Sequence, residues 1–423
     1  MRFTKKVVLL GFGLAFVFAT YYQYFEWLIY QNDKEDILQN EIRQICYNQS
    51  TQTKSSINQR SHSPQIEVSK TNIIKPRYIY PFFAGNQGPN NQLQALTAAI
   101  AFAHLTNRTL VPSPFFDHPT GTVNKVYTMN ETIDLEELSK FIKISTEHQF
   151  VADCGHVVTA MVNGLAGRWK EDFAAQLHTY MWFIRKFSDV TVPPIGDNLF
   201  ILENILSVIK IVGRDVFDRC LGYIYPYGDA SVVFHGRRDL HNKLFKHLRR
   251  PVWIQDHQTS LSKQLWNADG LLAVHWRLNE EYQRIWCRAN DSYSTKDHCK
   301  LARLDRQLVA RVLVDQMKML NLTKIYLAFT HDSAIDLFNF VKQMVPATFS
   351  AKDILNLQSP SSKRFNNDNY YLSLLEQEIC FKSNHFIGSP LSSWSSIVIE
   401  QRNHHETNLV SNLLLPFIKT PLH

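Results

Sequence analysis

The chain has 423 residues, a formal net charge of +7, 45% hydrophobic and 12% aromatic residues, and only 15 Gly and 16 Pro. That composition excludes general disorder, and the length allows two or three domains with a sizeable core. The charge is modest and no dense Lys/Arg tract is interleaved with aromatics, which argues against a nucleic-acid partner.

Arg2, Lys5 and Lys6 precede an uncharged, mostly apolar run over residues 7–22, and Tyr21, Tyr22, Tyr24, Phe25, Trp27 and Tyr30 crowd its far side. Basic residues before a span and aromatics at its exit fit a type II signal-anchor. A membrane helix needs about 17–25 residues, so this short run must use its aromatic flank or a thin early-secretory membrane. A cleaved signal peptide ending near Val17 and Ala19 is the competing reading. Residues 1–30 are therefore expected to be a cytoplasmic tail and anchor, and the polar, Ser/Gln/Asn-rich residues 31–72 a stem. Six cysteines without a C-x-x-C pair argue against a zinc ribbon. Sequons at Asn48, Asn107, Asn130, Asn290 and Asn321, taken with the anchor, point to a secretory lumen where disulfides persist.

The first folded unit opens with a strand at residues 78–83, followed by the loop AGNQGPNNQ. Leu93, Leu96, Ile100 and Ala103 then recur at helical spacing, and a strand follows at Thr109, Leu110 and Val111. Gly88 and Asn90 either turn the chain and cap the helix or offer its N–H groups to a phosphate or sugar. Over residues 115–249 the amphipathic stretches DLEELSKFIKI and FAAQLHTYMWFIRKF predict helices without evident chemistry. The basic run HGRRDLHNKLFKHLRRP reads as a solvated helix face near a domain boundary.

The second unit opens at LLAVHWRLNEEY, where a buried parallel strand ends in His275, Trp276 and Arg277. In open α/β sheets ligands bind beyond the carboxyl ends of the strands, so this His-x-Arg pair is placed to meet an anion. Cys287 and Cys299 could close a small loop. Leu301, Leu304, Leu308, Val312 and Leu313 predict a long helix, residues 324–329 a strand ending before Asp332, and residues 335–344 a helix. A strand at residues 385–388 and the hydroxyl-rich SPLSSWSSIVIEQR feeding a helix complete a repeated βα pattern. No P-loop, nucleophile elbow, HExxH, post-strand GxGxxG or Asp-x-Asp is present. His404 and His405 beside Glu406 read as surface residues, because adjacent side chains diverge. A diphosphate between the halves could be neutralised without metal by Arg277 and the N–H groups of residues 392–394.

These residues resemble the GDP-fucose protein O-fucosyltransferases. Gly88-Pro89-Asn90-Asn91-Gln92 running into AIAFAHLTNRTLVPS is similar to that family's G-x-x-x-N-Q loop and following helix and strand. HWRLNEEY resembles its H-x-R-x-x-x-D-W, IYLAFTHDS its V-Y-x-A-T-D-S strand, and EQEICFKSNHFIGSPLSSWSS its D-x-Y-I…A-D-x-F-I-G-x-x-x-S-S-F. The likeness spans about residues 78–402. It differs where Pro89 and Asn90 replace a family Arg, where Glu281-Tyr282 replaces Asp-Trp, and where one residue is inserted before Asp332. Leu278 stands where α1,2 and α1,6 glycan fucosyltransferases carry a second Arg.

The resemblance implies an α/β fold of GT-B type: two Rossmann-like domains, residues 73–250 on the acceptor side and 251–423 binding GDP-fucose, facing across a cleft. It implies a metal-independent, inverting transfer of fucose to Ser/Thr of secretory-pathway proteins in the Golgi or endoplasmic reticulum, with no cofactor. Arg277 would grip the diphosphate, His275 bind the nucleotide, and Asn91 orient the acceptor and sugar. Ser392, Ser393 and Trp394 would hold phosphate and fucose, Glu376 and Asp332 stand near nucleotide or sugar, and Glu281 is a candidate base. Transfer to a glycan, or an inactive sugar-nucleotide or glycoprotein binder lacking the loop Arg, are the alternatives.

Overall fold

The computed structural model describes residues 75–83, 88–117, 125–163, 190, 199–201, 219–224, 237–266, 270–277, 304–329, 334–357, 364–365, 368–389, 392–404 and 410–413. The anchor and stem, the stretch FAAQLHTYMWFIRKF, the Cys287 and Cys299 pair, Glu281 and Asp332 all lie outside them. Among the described residues no helix is long and apolar enough to cross a membrane.

Two five-stranded parallel sheets carry the fold. The first is ordered β2 (Thr109–Leu110), β1 (Tyr78–Phe82), β7 (Cys220–Ile224), β5 (Ala160–Asn163), β6 (Leu199–Ile201). The second is ordered β10 (Thr348–Ser350), β9 (Lys324–Phe329), β8 (Leu271–Trp276), β11 (His385–Gly388), β12 (Val410–Leu413). In chain order the strands of this second sheet run third, second, first, fourth, fifth. The winding therefore reverses between β8 and β11, and such a switch point leaves a crevice outside the carboxyl ends of those two strands. A small antiparallel pair, β3 (Phe115–Phe116) and β4 (Val126–Tyr127), sits beside the first sheet.

Strand alternation sorts the second sheet into two faces. Leu272, Val274, Trp276, Ile325, Leu327 and Ile387 pack with α7 (Arg306–Met319) and α8 (Ile335–Met344). On the other face Leu271, Ala273, Tyr326, Ala328 and Phe386 join one core with α1 (Pro89–Leu105), α10 (Asn369–Lys382) and α11 (Ser393–His404). That core also takes in Ile79 and Leu221 of the first sheet, so apolar packing runs without a break from one sheet to the other. Leu96, Ile100 and Phe102 of α1 are fully buried in it, and three such side chains contribute on the order of 4–9 kcal/mol. The short helices α2 (Met129–Thr132), α3 (Leu135–Ser139), α4 (Glu147–Cys154) and α9 (Ala351–Leu355), with α5 (Arg238–His247) and α6 (Val252–Leu261), fill the remaining layers.

Polar contacts reinforce this junction. Tyr127 stacks on Tyr370 with ring centroids 3.9 Å apart, and the Tyr370 hydroxyl lies 2.6 Å from Thr132 Oγ1. Arg250, at the end of the basic run, is 1% exposed and donates to the Thr132 carbonyl and to Gln377 of α10. The RRP end of that run is thus not a solvated face: Arg250 is an internal strut.

Other expectations shift too. The α7 helix starts at Arg306, with Asp305 as its cap accepting from Gln307 N at 3.2 Å, and its buried stripe is Val309, Ala310, Leu313, Val314 and Met317. Leu308 and Val312 are only partly buried, because the face packed against the second sheet is that of Val309, Leu313 and Met317. DLEELSKFIKI forms only the five-residue α3, which starts on the Asp134 cap and ends in a turn. A disulfide joins Cys154 to Cys220, with Cα atoms 6.1 Å apart, tying the end of α4 to the start of β7. Gly155 ends α4 at φ 65°, the left-handed region that favours glycine.

Candidate active site

His275, one residue from the end of β8, faces α10 and α11, as alternation from Leu271 and Ala273 requires. It is 7% exposed. Its Nδ1 lies 2.7 Å from Ser395 Oγ on α11. That same Oγ accepts the Ser389 N–H at 2.9 Å. With the imidazole proton on Nε2, the Ser395 hydroxyl donates to His275 Nδ1 while its oxygen accepts the Ser389 N–H; the direction of the bond follows the tautomer. Burial, with the nearby Arg277 charge second, lowers the His275 pKa to about 3. The ring is therefore neutral at ordinary pH.

The next link fixes Arg277. Ser389 Oγ donates to the His275 carbonyl at 2.8 Å and accepts the Arg277 N–H at 2.8 Å. This clasp ties the ends of β8 and β11 together across the switch point. It holds the partly buried Arg277 beside His275, and among the described residues no carboxylate meets its guanidinium. Gly388 makes the clasp possible: a Cβ there would lie 3.0 Å from Ser395 Cβ and 3.1 Å from Ile399 Cδ1.

Across the crevice stands the loop end of α1. Gly88 is the N-cap residue, at φ −60° and ψ 155°, an extended conformation that any residue adopts and that the following Pro89 favours. Asn90 is therefore the second residue of the helix and not its cap. Its Oδ1 accepts from Gln377 Nε2 at 2.7 Å, and the same nitrogen lies 3.5 Å from the Trp394 carbonyl. Asn91 is partly exposed in the same turn, its N–H bound to the Gly88 carbonyl at 2.9 Å. Gln92 is buried and bonds both ways with the backbone of Phe116, Nε2 to carbonyl at 3.0 Å and N–H to Oε1 at 2.8 Å, so its role is to hold α1 against β3.

Trp394 completes the wall. Its ring stacks on His275 with centroids 4.1 Å apart, and its Nε1 donates to Ser373 Oγ at 2.9 Å. Ser392 is 8% exposed, and its carbonyl accepts the Ser396 N–H at 2.9 Å to open α11, while Ser393, the first helical residue, is partly exposed. Asn90, Gln377, Trp394 and His275 form one continuous chain from the first half to the second. Arg277, Asn91 and Ser393 border it with side chains that reach no described partner.

Glu376 does not join this group. Its carboxylate accepts the Tyr326 hydroxyl at 2.9 Å, and Tyr326 pairs with Ala273, two residues short of His275 along the strand. The carboxyl sits under the sheet, where burial, offset in part by the Tyr326 bond, raises its pKa to about 8. Sequence reasoning missed Ser389, Ser395, Gln377 and Arg250. The i, i+3 spacing of Ser392 and Ser395 is a signal that could have found Ser395; no local pattern marks Gln377.

Residues 80–405 match the family model described as GDP-fucose protein O-fucosyltransferase. The chain belongs to this family. As a member of the GDP-fucose protein O-fucosyltransferases it is a GDP-fucose-dependent fucosyltransferase. No curated protein matches it in sequence. Among solved structures, POFUT1 in complex with GDP is similar at a TM-score of 0.56 and 15% identity, covering 80% of this chain and 98% of that one. POFUT1 with GDP-fucose is similar at 0.55 and 16% identity, covering 80% and 98%. The POFUT1 apo form gives 0.53 and 15%, covering 84% and 99%. At such identities the likeness speaks to the fold, a two-sheet α/β arrangement shared by this chain and those structures.

Proposed function

We propose that the crevice beyond β8 and β11 binds GDP-fucose and that the protein moves its fucose to a Ser/Thr hydroxyl of secretory-pathway proteins. The observation that carries this reading is Arg277 at the switch point, its main-chain N–H held by the Ser389 clasp and its guanidinium, among the described residues, with no carboxylate against it. In the proposed reaction the bond between fucose C1 and the β-phosphate oxygen breaks as the acceptor oxygen attacks from the opposite face, inverting C1, and the acceptor's hydroxyl proton passes to the departing phosphate oxygen. Arg277 neutralises charge growing on the departing phosphate oxygen. His275 Nε2–H donates to the nucleotide, and the N–H groups at the start of α11, at Ser393 and Trp394, serve the same anion. Asn91, at the lip of the first half, orients the acceptor and sugar. With a cationic side chain and main-chain donors in place, no metal is required by this scheme.

A GT-B division near residue 250, a cytoplasmic tail and type II anchor within residues 1–30 and a luminal catalytic region in the Golgi or endoplasmic reticulum belong to the same proposal. Purified full-length protein should transfer fucose from GDP-fucose in the presence of chelator, to folded protein domains rather than to N-glycans. Arg277→Ala should lower the rate by on the order of 100-fold or more. Equal rates for the two proteins would remove Arg277 from the mechanism; transfer to glycans alone would move the chain to the glycan-acting reading.

A further inference from the structure

At the far end of α11, roughly 16 Å along the helix from Ser393, three side chains meet that the transfer reaction does not use. His404 and Glu400 lie one turn apart on α11, with His404 Nε2 3.3 Å from Glu400 Oε2. His241, from α5, brings its Nδ1 to 3.0 Å from His404 Nε2 and its Nε2 to 3.7 Å from the same carboxylate oxygen. One ligand atom from each of the three lies within 4.8 Å of the other two.

We infer that His241, Glu400 and His404 bind one zinc ion that staples α5 to α11. Two imidazoles and a carboxylate are a donor set that zinc accepts, with metal–ligand distances near 2.0–2.2 Å. A tetrahedral ion at those distances separates its ligand atoms by about 3.3 Å; the His404–Glu400 spacing is 3.3 Å, the His241–His404 spacing 3.0 Å, and all three ligand atoms lie within 4.8 Å of one another, so a small side-chain adjustment closes the set on an ion. The cluster is partly open, with Glu400 at 40% side-chain exposure and His404 at 13%, so an ion can enter and water can take the fourth position. Phe245 closes the other side, its ring centroid 4.7 Å from that of His241 and 5.9 Å from that of His404. Neither histidine is at the end of α11 that builds the candidate active site, so this metal is structural, holding the helix whose opposite end carries Ser392–Trp394. His405 and Glu406, the partners suggested by adjacency in sequence, lie outside the described residues; the partners seen come from the previous turn and from a helix 163 residues away.

The test uses tag-free full-length protein stripped by chelation and titrated with Zn²⁺, without nucleotide, so its outcome is independent of the transfer reading. One zinc per chain should bind, and it should raise the thermal midpoint. His241→Gln, Glu400→Gln and His404→Gln should each weaken binding by more than the roughly 10–100-fold that loss of a mere outer-shell partner brings, and should abolish the zinc-dependent rise. Co²⁺ should show the visible spectrum of a four-coordinate ion in the wild type alone. Absence of stoichiometric zinc, or unchanged affinity in all three variants, would overturn the assignment. A variant that fails to fold is replaced by the other two.

Discussion

Removing one oxygen, in Ser395→Ala, should expose how the candidate active site is held. Ser395 Oγ is, among the described residues, the partner of two buried groups, the Ser389 N–H at 2.9 Å and His275 Nδ1 at 2.7 Å. Alanine leaves both buried groups without that partner. A buried polar group without a partner costs about 1–3 kcal/mol, so two together predict a loss of roughly 2–6 kcal/mol. The Ser395 contact to His275 Nδ1 is then lost, and if Nε2–H meets the nucleotide, GDP affinity should fall by about tenfold, the equivalent of one hydrogen bond. Ser396→Ala is the control: its hydroxyl bonds only the Ser392 carbonyl at 3.1 Å, itself already served by the Ser396 N–H. Thermal unfolding measures the first effect and calorimetry with GDP the second. If Ser395→Ala and Ser396→Ala have the same midpoint and the same GDP affinity, the proposed relay has no energetic content.

Gly388→Ala should act on the same clasp from the strand side, since its methyl would stand 3.0 Å from Ser395 Cβ. An overpacked core costs about 1–3 kcal/mol, and transfer activity should fall more than the thermal midpoint suggests because α11 must move; full activity would show that the helix yields freely. Glu376→Gln should raise stability at high pH only. The carboxyl ionises near 4.5 when unfolded and near 8 when folded, so the native state is favoured below 4.5 and loses about 1.4 kcal/mol per unit as pH rises towards 8. Thermal scans at pH 5 and pH 8 should show the variant matching wild type in the first and exceeding it in the second, and a difference of the opposite sign would refute the assignment. Cys220→Ser should lower stability by about 4 kcal/mol, the loop-entropy value for a crosslink spanning 66 residues. Insensitivity of the midpoint to reductant would count against that figure.

Local pattern carried much of the fold into view. Strand β11 and helix α8 occupy the residues their apolar pattern predicts, 385–388 and 335–344, because short buried strands and one-sided helices print their environment directly on the sequence. His275 and Arg277 stood out for the same reason: polar residues closing an apolar run have few destinations other than a strand end. Helix α10 left no such imprint. It is buried on nearly every side, from Tyr370 and Tyr371 to Ile379, Cys380 and Phe381, so it has no stripe, and its Gln377 and Glu376 look alike in sequence although one faces Asn90 and the other the underside of the sheet.

What the chain determines by itself is its alternation of apolar strands and helices, the polar residues that end them, and the order of motifs that marks the family. These depend on neighbours a few residues away and on the period of each element. Pairing across distance was decided only by the tertiary structure. The order of the second sheet puts β11 beside β8 rather than next to β10, which brings Ser389 and Ser395 to His275 and Arg277 over 112 to 120 intervening positions. The physical reason is that a buried hydrogen bond is specified by where two elements cross, and that crossing is set by how the apolar faces of both sheets share one core.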